Sequence, residues 1–71
     1  MKLSECNTLF KGEILEVLES DFDSKLMEYG IIPGAELVVL NKAPFSGPIY
    51  ISIGSQKIAI RKEEASFIIL K

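Results

Sequence analysis

A chain of 71 residues, 48% of them hydrophobic, with no histidine and one cysteine builds one small domain. It has no internal disulfide and lacks the commonest transition-metal ligand. Eight Lys and Arg against ten Asp and Glu leave a net charge of −2, not the basic face that a phosphate-backbone binder needs. The longest unbroken apolar runs, such as Leu37–Leu40, are four residues, far below the roughly 20 that cross a bilayer as a helix. The first residues lack the apolar core of a signal peptide, and a lone cysteine fits a reducing compartment. The expected localisation is cytoplasmic.

Glycines and prolines divide the chain into segments of strand length. Gly12–Glu19 reads as a first strand whose apolar residues do not alternate strictly, so either a bulge shifts its register or both faces are partly covered. Ser20 and Asp21 can cap a short helix, and Asp23, three residues after Ser20, completes a capping-box pattern. Phe22, Leu26 and Tyr29 then recur at helical spacing, and Gly30 ends the helix in the left-handed conformation. Pro33-Gly34 demands a type II turn. Glu36–Leu40 is the second strand. Pro48–Ile53 alternates cleanly, with Ile49, Ile51 and Ile53 on one face. Gly54-Ser55 suits a two-residue type II′ hairpin turn, and the strand returns over Gln56–Arg61 with Ile58 and Ile60 inward. Lys62–Ala65 is a helical turn or loop before a last strand, Ser66–Leu70. The expectation is a mainly β domain, a small five-stranded antiparallel barrel with one short helix after the first strand.

Nothing in this pattern suggests catalysis. There is no Ser/His or Cys/His pair, no phosphate-binding glycine loop and no carboxylate dyad; Cys6 lies in a polar segment without a base. Metal binding finds no support either: imidazole is absent, Cys6 has no spaced partner, and Glu63-Glu64 reads as an ordinary surface pair. No cofactor and no metal ligand are expected.

Three blocks carry a resemblance. Leu26-Met27-Glu28-Tyr29-Gly30-Ile31-Ile32-Pro33-Gly34-Ala35-Glu36-Leu37 resembles the signature of the ferrous-iron transport protein A (FeoA) family: leucine, a short spacer, glycine, an aliphatic, any residue, then Pro-Gly and a strand. Lys42–Ile49 resembles the family's Ala-Pro-x-Gly-Asp-Pro loop, and Ile58–Ala65 its Ile-Ala-Leu-Arg-Arg-x-Glu-Ala segment. With Leu9, Gly12 and Ile14 upstream, the match spans nearly the whole chain in order. It departs from the pattern at Gly47, where aspartate is usual, at Lys62 in the Arg-Arg pair, which loses one planar fork, and at Lys25, where arginine is common. The resemblance implies an SH3-like barrel and an accessory partner of FeoB, the membrane ferrous iron transporter with a cytosolic GTP-binding domain. The same module occurs as the C-terminal domain of metal-dependent repressors, which implies the alternative of a metal-responsive or single-stranded nucleic-acid-binding domain.

Candidate partner contacts are Leu26, Tyr29, Ile31, Pro44, Phe45, Pro48, Arg61 and Lys62. Each has a simpler reading beside it. Leu26 can pack the helix on the barrel, with Gly30, Pro33, Gly34 and Gly54 shaping turns. Phe45 is either an exposed anchor on a proline-stiffened loop or a lid folded over the barrel end. Lys57, Arg61 and Lys62 can steer an acidic partner, or form a solvated face paired with Glu63 or Glu64. An uncovered strand edge or Phe45 can also support weak self-association.

Overall fold

The computed structural model describes all of residues 1–71. Five strands form one antiparallel sheet: β1 (Lys11–Val17), β2 (Glu36–Lys42), β3 (Ile49–Ile53), β4 (Gln56–Ile60) and β5 (Ile68–Leu70), in spatial order β4-β3-β2-β1-β5. Helix α1 (Asp23–Glu28) connects β1 to β2, and a four-residue helix, α2 (Lys62–Ala65), connects β4 to β5. The dimensions, 26 × 22 × 21 Å, fit a sheet coiled about its own core.

The five antiparallel strands of the expected barrel are present, but the sheet is not closed: β4 and β5 are its two ends and do not pair with each other. The reason lies at the N-terminus. A 3-10 turn over Leu3–Glu5, absent from the sequence reading, brings Lys2 into a bridge with Ile69. The Leu70 N–H donates to the Met1 carbonyl at 2.7 Å and the Met1 ammonium to the Leu70 carbonyl at 3.0 Å. In the folded chain the outer edge of β5 is therefore occupied by the N-terminal segment and not by β4. The same turn buries Leu3 and Cys6, at 0% and 1% exposure, so Cys6 is a core residue and not part of a polar tail.

Local signals account for most of the rest. The Ser20 N–H donates to the Asp23 carboxylate at 3.0 Å, one half of the expected capping box; Ser20 Oγ accepts from the Phe22 N–H at 3.1 Å instead of from Asp23, and α1 begins at Asp23 with Phe22 as its cap residue. At the other end of α1, the Ile31 N–H reaches the Leu26 carbonyl and the Gly30 N–H the Met27 carbonyl, at 3.0 and 2.9 Å. With Gly30 at φ +83°, this is a Schellman motif, which presses the side chains at its two ends together. Gly34 at φ +93° and an Ala35 N–H to Ile32 carbonyl bond of 3.1 Å make the type II turn. Gly54, at φ +59°, is the left-handed residue of the β3–β4 hairpin. A register shift between Ile14 and Glu16, where β1 meets β5, is the bulge that the broken alternation of the first strand requires.

Three strand limits differ from expectation by two residues and three more by one. β1 stops at Val17, β2 runs on to Lys42, and β5 begins at Ile68 because the N–H groups of Ser66 and Phe67 are taken by the carbonyls of Lys62 and Glu64 in α2. The core is continuous. Ile14, Leu26, Ile31, Leu37, Val39, Ile49, Ile51, Ile53, Ile60, Ile68 and Leu70 join Leu3, Cys6 and Ala65 in one cluster, with the tilted pair Phe22–Phe67, ring centres 5.9 Å apart, at its margin.

Candidate interaction surface

β2 and β3 are joined by a hairpin loop whose tip is Pro44-Phe45-Ser46-Gly47. The Gly47 N–H donates to the Pro44 carbonyl at 3.2 Å, and Phe45 and Ser46 sit at φ +58° and +60°. Positive φ at both central residues defines a type I′ turn, the turn that normally takes Asn-Gly. Here two ordinary side chains hold it, each at a cost of about 1–2 kcal/mol. Below the tip, the Ala43 N–H donates to the Pro48 carbonyl at 3.0 Å, so both prolines brace the turn. Phe45 is 100% exposed. It is not a lid. Strain retained beside a wholly exposed aromatic is the arrangement expected of a binding loop. Ser46→Gly should remove part of that strain and raise stability by about 1 kcal/mol; a urea midpoint for the variant checks it.

The opposite end of the ladder lies beside this loop. Because Ile49 pairs with Ile60, the end of β4 brings Arg61 and Lys62 against Ser46, Gly47 and Pro48 around a shallow recess of about 250 Å³. Lys62 Nζ reaches Ser46 Oγ at 3.5 Å. Pro44, Phe45 and Pro48 of the loop thus share one patch with Arg61 and Lys62 from the far end of β4: an apolar tip with two cations and Glu63 at its base.

The expected pairing of these cations is corrected. The chain has two ion pairs, Lys25–Glu64 at 2.8 Å and Lys71–Glu13 at 3.0 Å, and neither uses Lys57, Arg61 or Lys62. Glu64 is not a surface residue. It is 1% exposed, and its carboxylate accepts from Lys25 Nζ at 2.8 Å and from the Arg61 backbone N–H at 2.9 Å. Burial pushes its pKa up, but the hydrogen bonds from Lys25 and the Arg61 backbone, with the charges of both side chains, outweigh it and leave the group below its usual value. Burial pushes the Cys6 thiol up, against the weaker opposing pull of Lys42 and the N-terminus. A thiol so placed is a poor nucleophile.

The helix and turn region divides differently. Leu26 and Ile31 are 0% and 2% exposed and are joined by the Schellman motif, Ile31 forming the floor of a groove beside it. Their neighbours one residue along, Met27 at 65% and Ile32 at 47% exposure, face outward and line, with Val17 and Pro33, a groove of about 240 Å³. The sequence carries the signal: the core stripe Phe22, Leu26, Tyr29 leaves Met27 off the buried face. Tyr29 is half-buried and borders a second groove, about 520 Å³, with Gly30, Leu37, Ile53, Gly54 and Gln56. No three His, Cys, Asp or Glu side chains converge anywhere in the chain, and no helix is long and apolar enough to cross a membrane.

The FeoA domain profile matches residues 1–71. The chain belongs to the FeoA domain family. Its fold superposes on the crystal structure of an iron uptake regulatory protein, FeoA, with a TM-score of 0.90 and 35% identity, over 100% of this chain and 93% of that one. The zinc complex of Stenotrophomonas maltophilia FeoA, a prokaryotic SH3 domain protein, gives 0.87 and 24% over 100% of this chain and 89% of that one, which places the fold as SH3-like. A manganese-dependent transcriptional repressor gives 0.92 and 22% over 100% of this chain but 35% of its own; at that identity the likeness is one of fold. No curated protein sequence matches the chain. The FeoA family is associated with ferrous iron transport, as an accessory protein rather than an enzyme.

Proposed function

We propose that this protein is a cytoplasmic accessory of bacterial ferrous iron uptake that docks on the FeoB transporter, at its cytosolic GTP-binding domain, through the Phe45 patch. The observation that carries the reading is Phe45 itself. It is wholly exposed at the tip of a turn held in left-handed geometry by proline-braced strands. Aromatic anchors on rigid loops supply much of the energy of protein interfaces, because little conformational freedom is lost when they bind. Arg61 and Lys62 beside it favour an acidic surface on the partner and fix orientation. Tyr29, Met27 and Ile32 offer a second contact area at the helix end. Regulation follows if the two nucleotide states of the transporter present this complement differently, since a partner shifts an equilibrium only by its differential affinity.

Phe45→Ala should weaken binding to FeoB in lipid nanodiscs about 30-fold, close to 2 kcal/mol, while leaving the thermal unfolding of the free protein unchanged. An unaltered dissociation constant would remove the patch from the interface. Amide shifts absent in both the nucleotide-free and the GTP-analogue states of FeoB would remove the partner.

A further inference from the structure

The two edges of the sheet are finished differently. The β5 edge is covered by the N-terminal segment through the Lys2–Ile69 bridge and the Met1–Leu70 bonds. The β4 edge has no neighbour. In a two-residue hairpin the pair flanking the loop is hydrogen-bonded, so Ile53–Gln56, Ile51–Ile58 and Ile49–Ile60 carry the β3–β4 ladder. Lys57 and Ala59 therefore turn their N–H and C=O groups outward, and no loop or turn bond uses them. Both residues are exposed.

Unpaired edges are normally blunted by a bulge, a proline, a covering segment or charged side chains, lysine above all. β4 has none of the first three. Its pairing with β3 is unbroken over all five residues, whereas β1 and β2 both carry register shifts. What β4 does carry is charge. Lys57 and, at the strand's end, Arg61 lie on one face with Ala59 between them, by the period of two, and neither is in an ion pair. A second copy of this chain meets the edge badly. Antiparallel pairing centred on Ala59 sets Lys57 opposite Arg61, and pairing centred on Lys57 sets it opposite itself, which is destabilising.

We infer that the outer edge of β4 receives an extended acidic segment of a partner protein as a sixth strand. The main-chain groups of Lys57 and Ala59 supply the hydrogen bonds, and Lys57 and Arg61 select carboxylates four residues apart, with a small residue opposite Ala59. This is β-strand addition, in which the backbone gives affinity and alternate side chains give selectivity. The edge runs from Gln56, at the mouth of the Tyr29 groove, to Arg61, at the base of the Phe45 patch. One extended segment thus connects the two contact areas described above. The inference deepens the proposed function but does not need FeoB for its test.

The test is a titration of the isotope-labelled protein with the capped heptapeptide Val-Glu-Val-Ala-Val-Glu-Val, which sets its two carboxylates four residues apart with Ala between them, and with the counterpart in which Lys replaces both Glu. The acidic peptide should move the Lys57 and Ala59 amide protons downfield and slow their exchange. The basic peptide should leave them in place. Ala59→Pro deletes one outward donor without touching the ladder to β3 and should weaken acidic-peptide binding roughly tenfold, the loss of one hydrogen bond. Lys57→Glu, which leaves the backbone intact, should weaken it likewise and serves if the proline variant fails to fold. Unmoved Lys57 and Ala59 amides at millimolar peptide, or equal response to both peptides, would overturn the inference. So would the same shifts on concentrating the protein alone, which assign the edge to a second copy, or with oligothymidylate, which assign it to a nucleic acid. A peptide result of either sign leaves the Phe45→Ala experiment with FeoB to stand or fall separately.

Discussion

Replacing Leu26 by Ala should lower stability by about 3 kcal/mol. In a domain of this length the total is roughly 4–10 kcal/mol, so the variant sits close to unfolding at physiological temperature. Leu26 has no exposed surface and occupies the point where α1 meets the sheet. Its carbonyl accepts the Ile31 N–H of the Schellman motif, so the backbone around it cannot collapse freely into the space left behind. The cost therefore includes the cavity as well as the lost transfer energy. The expected fall in Tm is about 15 °C. Met27→Ala, one residue along and exposed, should change stability by less than about 0.5 kcal/mol. Equal destabilisation of the two variants would contradict the inward and outward assignment of the helix.

Glu64→Gln should cost about 2 kcal/mol at neutral pH and alter how the protein responds to acid. Glu64 joins α2 to α1 across 39 positions of sequence, and α2, at four residues, is too short to persist by its own hydrogen bonds. The folded state holds this carboxyl below the ordinary value of 4.5. Its stabilising contribution is therefore complete above that value and is lost as the pH falls from 4.5 through the lower folded value. The wild-type chain should lose stability on acidification through this window, and the glutamine variant should lose less. Chemical denaturation of both proteins across the acid range reads the difference directly. Parallel curves would mean that Glu64 is not held ionised by Lys25 and the Arg61 backbone.

What the sequence announced was local. Gly30, Pro33-Gly34 and Gly54 each carry a backbone demand that few other residues meet, and the structure places each in the turn it implies. Ser20 and Asp23 form half of the expected box, the bond from the Ser20 N–H to the Asp23 carboxylate. What it did not announce was set by distant partners. Glu64 reads as surface in a charged run, and only the fold brings Lys25 against it. Cys6 lies in a polar stretch, and only the bridge from Lys2 to Ile69 turns it inward. The Phe45-Ser46 pair carries no left-handed signal at all; the ladder on either side, ending at Lys42–Ile49, forces the geometry. Among the candidate contacts, Leu26 belongs to the interior because helical spacing puts it on the stripe of Phe22 and Tyr29, and Ile31 because the Schellman bond draws it back against Leu26. Pro44, Phe45, Pro48, Arg61 and Lys62 gather into one patch because of a strand pairing that no single segment reveals.

The order of strands in the sheet also bears on how the chain reaches this state. β2, β3 and β4 are consecutive in sequence and adjacent in space, joined by one six-residue loop and one two-residue turn. β1 and β5 come from opposite ends of the chain, as the partners Ile14 and Leu70 show. Closing short loops loses less entropy than closing long ones, and folding rates follow that ordering. The meander should gain protection first in pulse-labelled hydrogen exchange, with the β1–β5 pairing and the N-terminal cover completed last. The free edge of β4 then belongs to the earliest structure to form, and the protected edge of β5 to the latest.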